Sequence, residues 1–225
     1  MTGATYGALP YDVAHLLGGL TLVLSFTLLA RHRLSALITI YSLQAGVLAA
    51  AAAWQAYAQH MPALYLTAVA TLAVKALAIP ATLRRLLGRL DLARARDPGL
   101  GLFPTLAVGV GLVALAALAV LPMTVAAPAL TREDLALALS VVLLGMLMMA
   151  TRRTAPAQVV GFLSLENGLI LAAVGASGMP MLVEMSVAVL VLLAFLVLSA
   201  LVGQMRHHFD SVDTGHLDRA MRELQ

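Results

Sequence analysis

The sequence predicts an all-α integral membrane protein with about seven transmembrane helices, arranged as two parallel three-helix units joined by a connecting helix. Three observations predict it. Of the 225 residues, 61% are hydrophobic and only 11% are charged, whereas a soluble domain carries roughly 25% charged residues. With a mean hydropathy of +0.95, too little polar side chain is present to cover a water-facing surface. The apolar residues also gather into runs close to the ~20 residues that a spanning helix needs. Finally, an internal echo splits those runs into two sets of three.

The runs cover about 11–30, 35–58, 62–83, 101–123, 133–150, 157–176 and 180–205. None alternates like a barrel strand, and Ala and Leu dominate, so each reads as a helix. Pro62 and Pro180 stand at helix starts, where a missing N–H costs nothing. Pro80 falls near the end of the third run and predicts a bend there. The N-terminus has neither a charged n-region nor a small-residue cleavage site, so no removable signal peptide is expected.

Cations in the loops predict orientation. The first loop holds Arg31 and Arg33, the third Arg84, Arg85, Arg89, Arg94 and Arg96, and the fifth Arg152 and Arg153. The second and sixth hold none, and the fourth holds Arg132 beside Glu133 and Asp134. The tail holds Arg206, Arg219 and Arg222. Odd loops and tail are basic, which predicts an outside N-terminus and a cytoplasmic C-terminus.

The echo pairs Ser42-Leu43-Gln44-Ala45-Gly46 with Ser164-Leu165-Glu166-Asn167-Gly168. Upstream, Arg31-His32-Arg33 parallels Thr151-Arg152-Arg153; downstream, Met61-Pro62 parallels Met179-Pro180. Both copies begin on the same side, so the repeat is parallel rather than inverted. The resulting divisions are a first unit at 1–86, a loop and connecting helix at 87–130, a second unit at 131–205, and a polar tail at 206–225. The tail is either a short docking helix or disordered.

Only Lys75, Glu166 and Glu184 carry charge well inside a run. A charge at the bilayer centre costs about 2.5–3.5 kcal/mol on insertion scales, so such residues face protein or water and suggest a site. Lys75 is the one lysine beside thirteen arginines. Arginine stays charged, whereas a desolvated lysine can exchange a proton near neutrality. Proton relay or buried pairing is one reading of Lys75, and snorkelling to an interface is the other. Glu166 is placed for a titratable carboxylate, or for a neutral carboxyl that joins helices. Glu184 reads as an outer gate or an interfacial carboxylate. Gln44 takes the place of Glu166 in the first copy; it supports a polar path but cannot be a proton stop. Ser42, Ser164 and Asn167 are the supporting polar groups.

Other chemistries find no footing. The chain has no cysteine, which removes disulfides, iron–sulfur clusters and thiolate zinc. His15, His60, His207 and His208 do not pair at one depth for a haem or cluster for a metal, and the methionines read as packing. The sequence pI is about 9.7, yet the cations lie in short patches between apolar runs, so no nucleic-acid partner is expected. There is no phosphate loop or nucleophile elbow, and no cofactor is expected in this chain.

The stretch Gly161-Phe162-Leu163-Ser164-Leu165-Glu166-Asn167-Gly168, followed by a helix and a polar tail, resembles the hydrogenase-4 component E family. Thr71-Leu72-Ala73-Val74-Lys75, with Pro80 five residues on, resembles that family's third-helix pattern. The C-terminal unit is also similar to the three-helix K-type subunit of respiratory complex I and to the C-type subunit of multisubunit cation/proton antiporters. Glu166 matches the K-type glutamate of the middle helix. The second K-type glutamate has no counterpart near Leu193 and Ala194, and by the repeat Lys75 falls opposite that place in the first unit.

The resemblance implies a membrane-arm subunit of an ion-translocating oxidoreductase complex in a bacterial or archaeal cytoplasmic membrane. It implies antiporter-like membrane partners and a peripheral [NiFe]-hydrogenase-type arm, with no redox chemistry in this chain. The expected proton path runs through Lys75 and Glu166, with Glu184 and Gln44 along it. The alternative is a structural spacer of such an arm, or of a cation/proton antiporter, carrying no protons.

Overall fold

A run of apolar residues in lipid has one way to satisfy its backbone locally, the α-helix. The computed structural model describes residues 9–89, 96–97, 101–123 and 129–175. Within them lie α1 (Leu9–Ala30), α2 (Leu34–Ala58), α3 (Pro62–Ala70), a π-helical segment (Thr71–Ala78), α4 (Ile79–Arg89), α5 (Leu102–Met123), α6 (Ala129–Thr151) and α7 (Ala155–Gly175). The only β feature among the described residues is an isolated bridge between Arg33 and Arg96. Six helices are long and apolar enough to cross a membrane, with α3, the π segment and α4 making one span, Pro62–Gly88. This is a membrane protein. The run at 180–205, the tail from 206 and the Met179-Pro180 landmark lie outside the described residues.

The third span continues past the predicted end at 83. Leu83 and Leu87, four apart, are buried, while Arg84 and Arg85 are exposed. The arginines therefore ride the polar face of an amphipathic helical end and do not form a loop.

Inside that span, Pro80 offers no N–H to the carbonyl of Ala76, four residues back, and its ring crowds that carbonyl. The helix answers upstream by widening into the π segment, where the Ile79 N–H bonds to the Val74 oxygen. The Ser42 hydroxyl of α2 donates to the Ala76 carbonyl at 2.5 Å. One side chain thus serves the acceptor that the proline cannot.

Glycine sets how closely helices approach in lipid, where packing must replace the hydrophobic effect. A methyl group at Gly145 of α6 would sit 2.5 Å from the Leu165 backbone nitrogen of α7. One at Gly168 would sit 2.8 Å from the Val142 backbone nitrogen. The α6 and α7 backbones are therefore nearly in contact. Gly46, the counterpart of Gly168 in the echo, has nothing within 4 Å of such a methyl group.

Helix α2 packs on α1, on α7 and on the third span; α1 packs on α6 as well. The two helices that carry the echoed motif are thus neighbours. Helix α5 packs on α6 and α1 at the periphery, with Phe103, Val110 and Leu118 exposed to the surroundings that a bilayer would fill.

The loops expected to share one end do so. Arg152 is buried there, and its guanidinium donates to the carbonyls of Leu28, Leu29 and Arg31 at 3.1, 2.8 and 2.6 Å. These carbonyls lie at or just past the C-terminus of α1, where a cation is favoured. Asp97 lies 3.5 Å from Arg152 and accepts from the backbone N–H groups of Arg153 and Thr154 at 3.2 and 2.8 Å, capping α7 from another loop. The Asp97 N–H donates to His32 O at 2.8 Å. Three loops are tied by one ion pair.

Burial opposes the Asp97 charge, but the neighbouring Thr154 hydroxyl, the Thr154 and Arg153 amides and Arg152 outweigh it, holding the carboxyl below its ordinary range. Burial draws the Arg152 guanidinium below its usual value, and Asp97 pulls against that. The opposite end is marked by a bond from the Gln59 side chain to Val174 O at 3.2 Å and by His15 lying 3.5 Å from Asp134.

Candidate functional site

Lys75 occupies the midpoint of the span Pro62–Gly88, roughly 20 Å from either end at ~1.5 Å per residue. It is only 4% exposed. Its ammonium does not snorkel. It turns toward α7, where Nζ donates to Asn167 Oδ1 at 2.9 Å and stands 3.1 Å from Glu166 Oε2. Glu166 is 2% exposed and Asn167 fully buried. The π segment presents Lys75, and the glycine-locked contact of α6 with α7 holds its two partners.

The network continues inward with a fixed direction. The Ser25 hydroxyl of α1 donates its one proton to Thr21 O at 3.0 Å. It can then only accept from Gln44 Nε2, at 2.8 Å. The Gln44 amide group also donates to Ser164 Oγ at 3.1 Å, so its oxygen is left to accept from Asn167 Nδ2, at 3.2 Å. That leaves Asn167 Oδ1 facing Lys75. Every bond from α1 to Lys75 thus follows from where a single serine proton goes.

Several buried polar atoms stay outside this network. Both Glu166 oxygens, the Tyr41 hydroxyl and Thr67 Oγ1 have no hydrogen-bond partner among the described residues. The Lys75–Glu166 contact is an ion pair by distance, without the alignment of a hydrogen bond. Tyr41 is fully buried on α2. Buried polar groups of this kind are commonly met by internal water. Toward the end marked by Gln59, a small cleft lined by Ala14, Ala51, Gln55, Asp134, Leu171 and Val174 opens between α1, α2, α6 and α7. Ala51 is about two turns along α2 from Gln44.

Over 210 residues the chain is 32% identical to the uncharacterized protein Rv0085 of Mycobacterium tuberculosis, covering 92% of this chain and 93% of that protein. The chain belongs to the Rv0085 family. No family model and no solved structure matches it.

In this Rv0085-family chain, Lys75, Glu166, Asn167, Gln44 and Ser164 are brought to one place. Ser42 is not part of that cluster and bonds instead to the third span. Glu184 lies outside the described residues. Among the described residues, no group of three or more His, Asp or Glu could hold a metal ion. Sequence reasoning missed Thr21 and Ser25, although polar residues four apart in an apolar helix signal a buried face. It also missed Tyr41, for which an aromatic residue beside the Ser42 motif gave no distinct sign.

Proposed function

We propose that this chain is a membrane-arm subunit of an ion-translocating, hydrogenase-4-type oxidoreductase complex related to respiratory complex I, and that it contributes to the intramembrane proton path. The observation that carries this reading is the Lys75–Glu166 pair, 3.1 Å apart at the middle of two spans. A buried ion pair is weak evidence of stability alone, since apolar residues of similar volume often serve as well. Its cost in lipid is understandable where a proton must be held and passed on.

In this reading, Glu166 and Lys75 exchange a proton between them. Water carries it between Glu166 and the Tyr41 hydroxyl, toward the end where Arg31, Arg33 and Arg152 gather. Gln44 and Asn167 orient the pair without carrying a proton. The cleft beside Gln55 and Asp134 is the approach from the other end. Antiporter-like membrane subunits continue the path laterally, a peripheral [NiFe]-hydrogenase-type arm supplies the energy, and this chain holds no cofactor.

The test is Glu166→Gln in the assembled complex in native membrane vesicles. Proton pumping is expected to fall at least tenfold with assembly intact, and unchanged pumping rejects the role. A spacer role is the second reading, favoured by the closed amide network that joins α1, α2 and α7. Under it, Lys75→Met removes assembly, with no separate effect on pumping.

A further inference from the structure

The Lys75 ammonium has the neighbours that a small metal cation would seek. One is a carboxylate oxygen at 3.1 Å and another an amide oxygen at 2.9 Å, both buried. The amide oxygen is not free to turn away. Ser25 sends its proton to Thr21, so Gln44 and then Asn167 must present their groups in one order, ending with Asn167 Oδ1 at Lys75. The protein has therefore built a pair of oxygen acceptors and filled it with a cation on a covalent arm.

Charge bookkeeping shows what that arm excludes. Among the described residues, Lys75 and Glu166 are the only charged side chains buried at the centre of the spans. With Lys75 protonated, the pair is neutral. A sodium or potassium ion added beside it would leave one uncompensated positive charge out of water, which is strongly unfavourable. A metal ion could enter only if the amine gave up its proton and moved aside. Because the amine is tethered, it competes as an intramolecular ligand, at an effective concentration that dilute salt does not match.

We infer that Lys75 is a specificity-determining residue: its ammonium occupies the Glu166–Asn167 oxygen pair, keeps sodium and potassium out, and reserves the site for protons. This rests on the proton-path reading and narrows it by naming the ion. It also makes the site latent for metal cations. Shortening the side chain at position 75 should leave a carboxylate and an amide oxygen around a space that sodium can enter.

The test is thermal unfolding of the full-length chain in detergent, with sodium chloride, potassium chloride or choline chloride at equal ionic strength. The wild-type midpoint is expected to be the same in all three salts. Lys75→Ala is expected to unfold at lower temperature in choline, and to rise by about 3 °C or more in 100 mM sodium. Lys75→Ala combined with Glu166→Gln is expected to lose that rise.

A saturable sodium stabilisation of the wild type overturns the inference, as does a Lys75→Ala protein indifferent to sodium. If Lys75→Ala survives extraction only when sodium is present, the same effect is read as yield. If it is lost in all three salts, Lys75→Ser takes its place with the same expected shift. Pumping enters none of these measurements, so failure here and failure of the proton path are separate results.

Discussion

Lys75 of the third span and Glu166 of α7 meet at 3.1 Å, with side chains 5% and 3% exposed. Neither has another charged neighbour at its depth among the described residues. Removing one partner strands the other in a medium that cannot solvate it. Lys75→Met and Glu166→Gln should each destabilise the protein, Lys75→Met by about 3–5 kcal/mol because it leaves a full buried charge. Combining them should recover part of the loss. A double-mutant cycle by thermal or denaturant unfolding in detergent is expected to give a coupling of about 1–3 kcal/mol. Simple additivity would mean that the two groups do not interact.

The basic end should respond to acid. Asp97 is held below the ordinary carboxylate range when folded. Its contribution to stability is therefore present above the unfolded value of about 3.9 and is lost as pH falls through the lower folded value. Arg152 stays charged throughout and adds no slope. Limited proteolysis of the 31–33 and 152–154 loops is expected to be unchanged from pH 8 to 5 and to rise below about pH 4. Asp97→Asn should make these loops labile at neutral pH and remove the acid step.

The echoed glycines make a matched pair. At Gly168 an added methyl group meets the α6 backbone at 2.8 Å, while at Gly46 nothing lies within 4 Å. Gly168→Ala must push α7 from α6 and is expected to cost about 1–3 kcal/mol. Gly46→Ala only removes backbone freedom and should be neutral, or stabilise by up to about 1 kcal/mol. Melting temperatures of the two variants check this. Equal effects would mean that the close approach at Gly168 is relaxed in the membrane protein.

Much of this architecture is legible in the chain because lipid leaves few choices. Apolar runs near 20 residues mark the spans, and the rarity of charge within them picks out Lys75 and Glu166 before any contact is known. The arrangement around the pair is less legible. Arg152 reads as an ordinary loop cation and Asp97 carries no sign of a role, since nothing in a loop's composition says that its guanidinium reaches three carbonyls at the end of another helix. Arg84 and Arg85 read as loop because cations end an apolar run, although Leu83 and Leu87 continue the buried face. The π segment differs from an α-helix by one step in hydrogen-bond register, and side-chain patterning does not encode that step. Pro80 was its one visible sign.

That proline can be tested through the hydroxyl that compensates for it. Ser42 donates to Ala76 O at 2.5 Å, the carbonyl that Pro80 leaves unserved in α-helical register. Ser42→Ala leaves a buried acceptor without this donor and is expected to cost about 1–3 kcal/mol. Pro80→Ala returns an N–H four residues from that carbonyl. In the Pro80→Ala background, Ser42→Ala should therefore cost less than half as much. The same substitution allows the segment Thr71–Ala78 to close to α-helix, which would rotate Lys75 relative to α7. Pro80→Ala is thus expected to weaken the Lys75–Glu166 coupling as well, read as a smaller double-mutant interaction. If Ser42→Ala costs the same with and without the proline, the hydroxyl is bound for a reason other than the missing backbone donor.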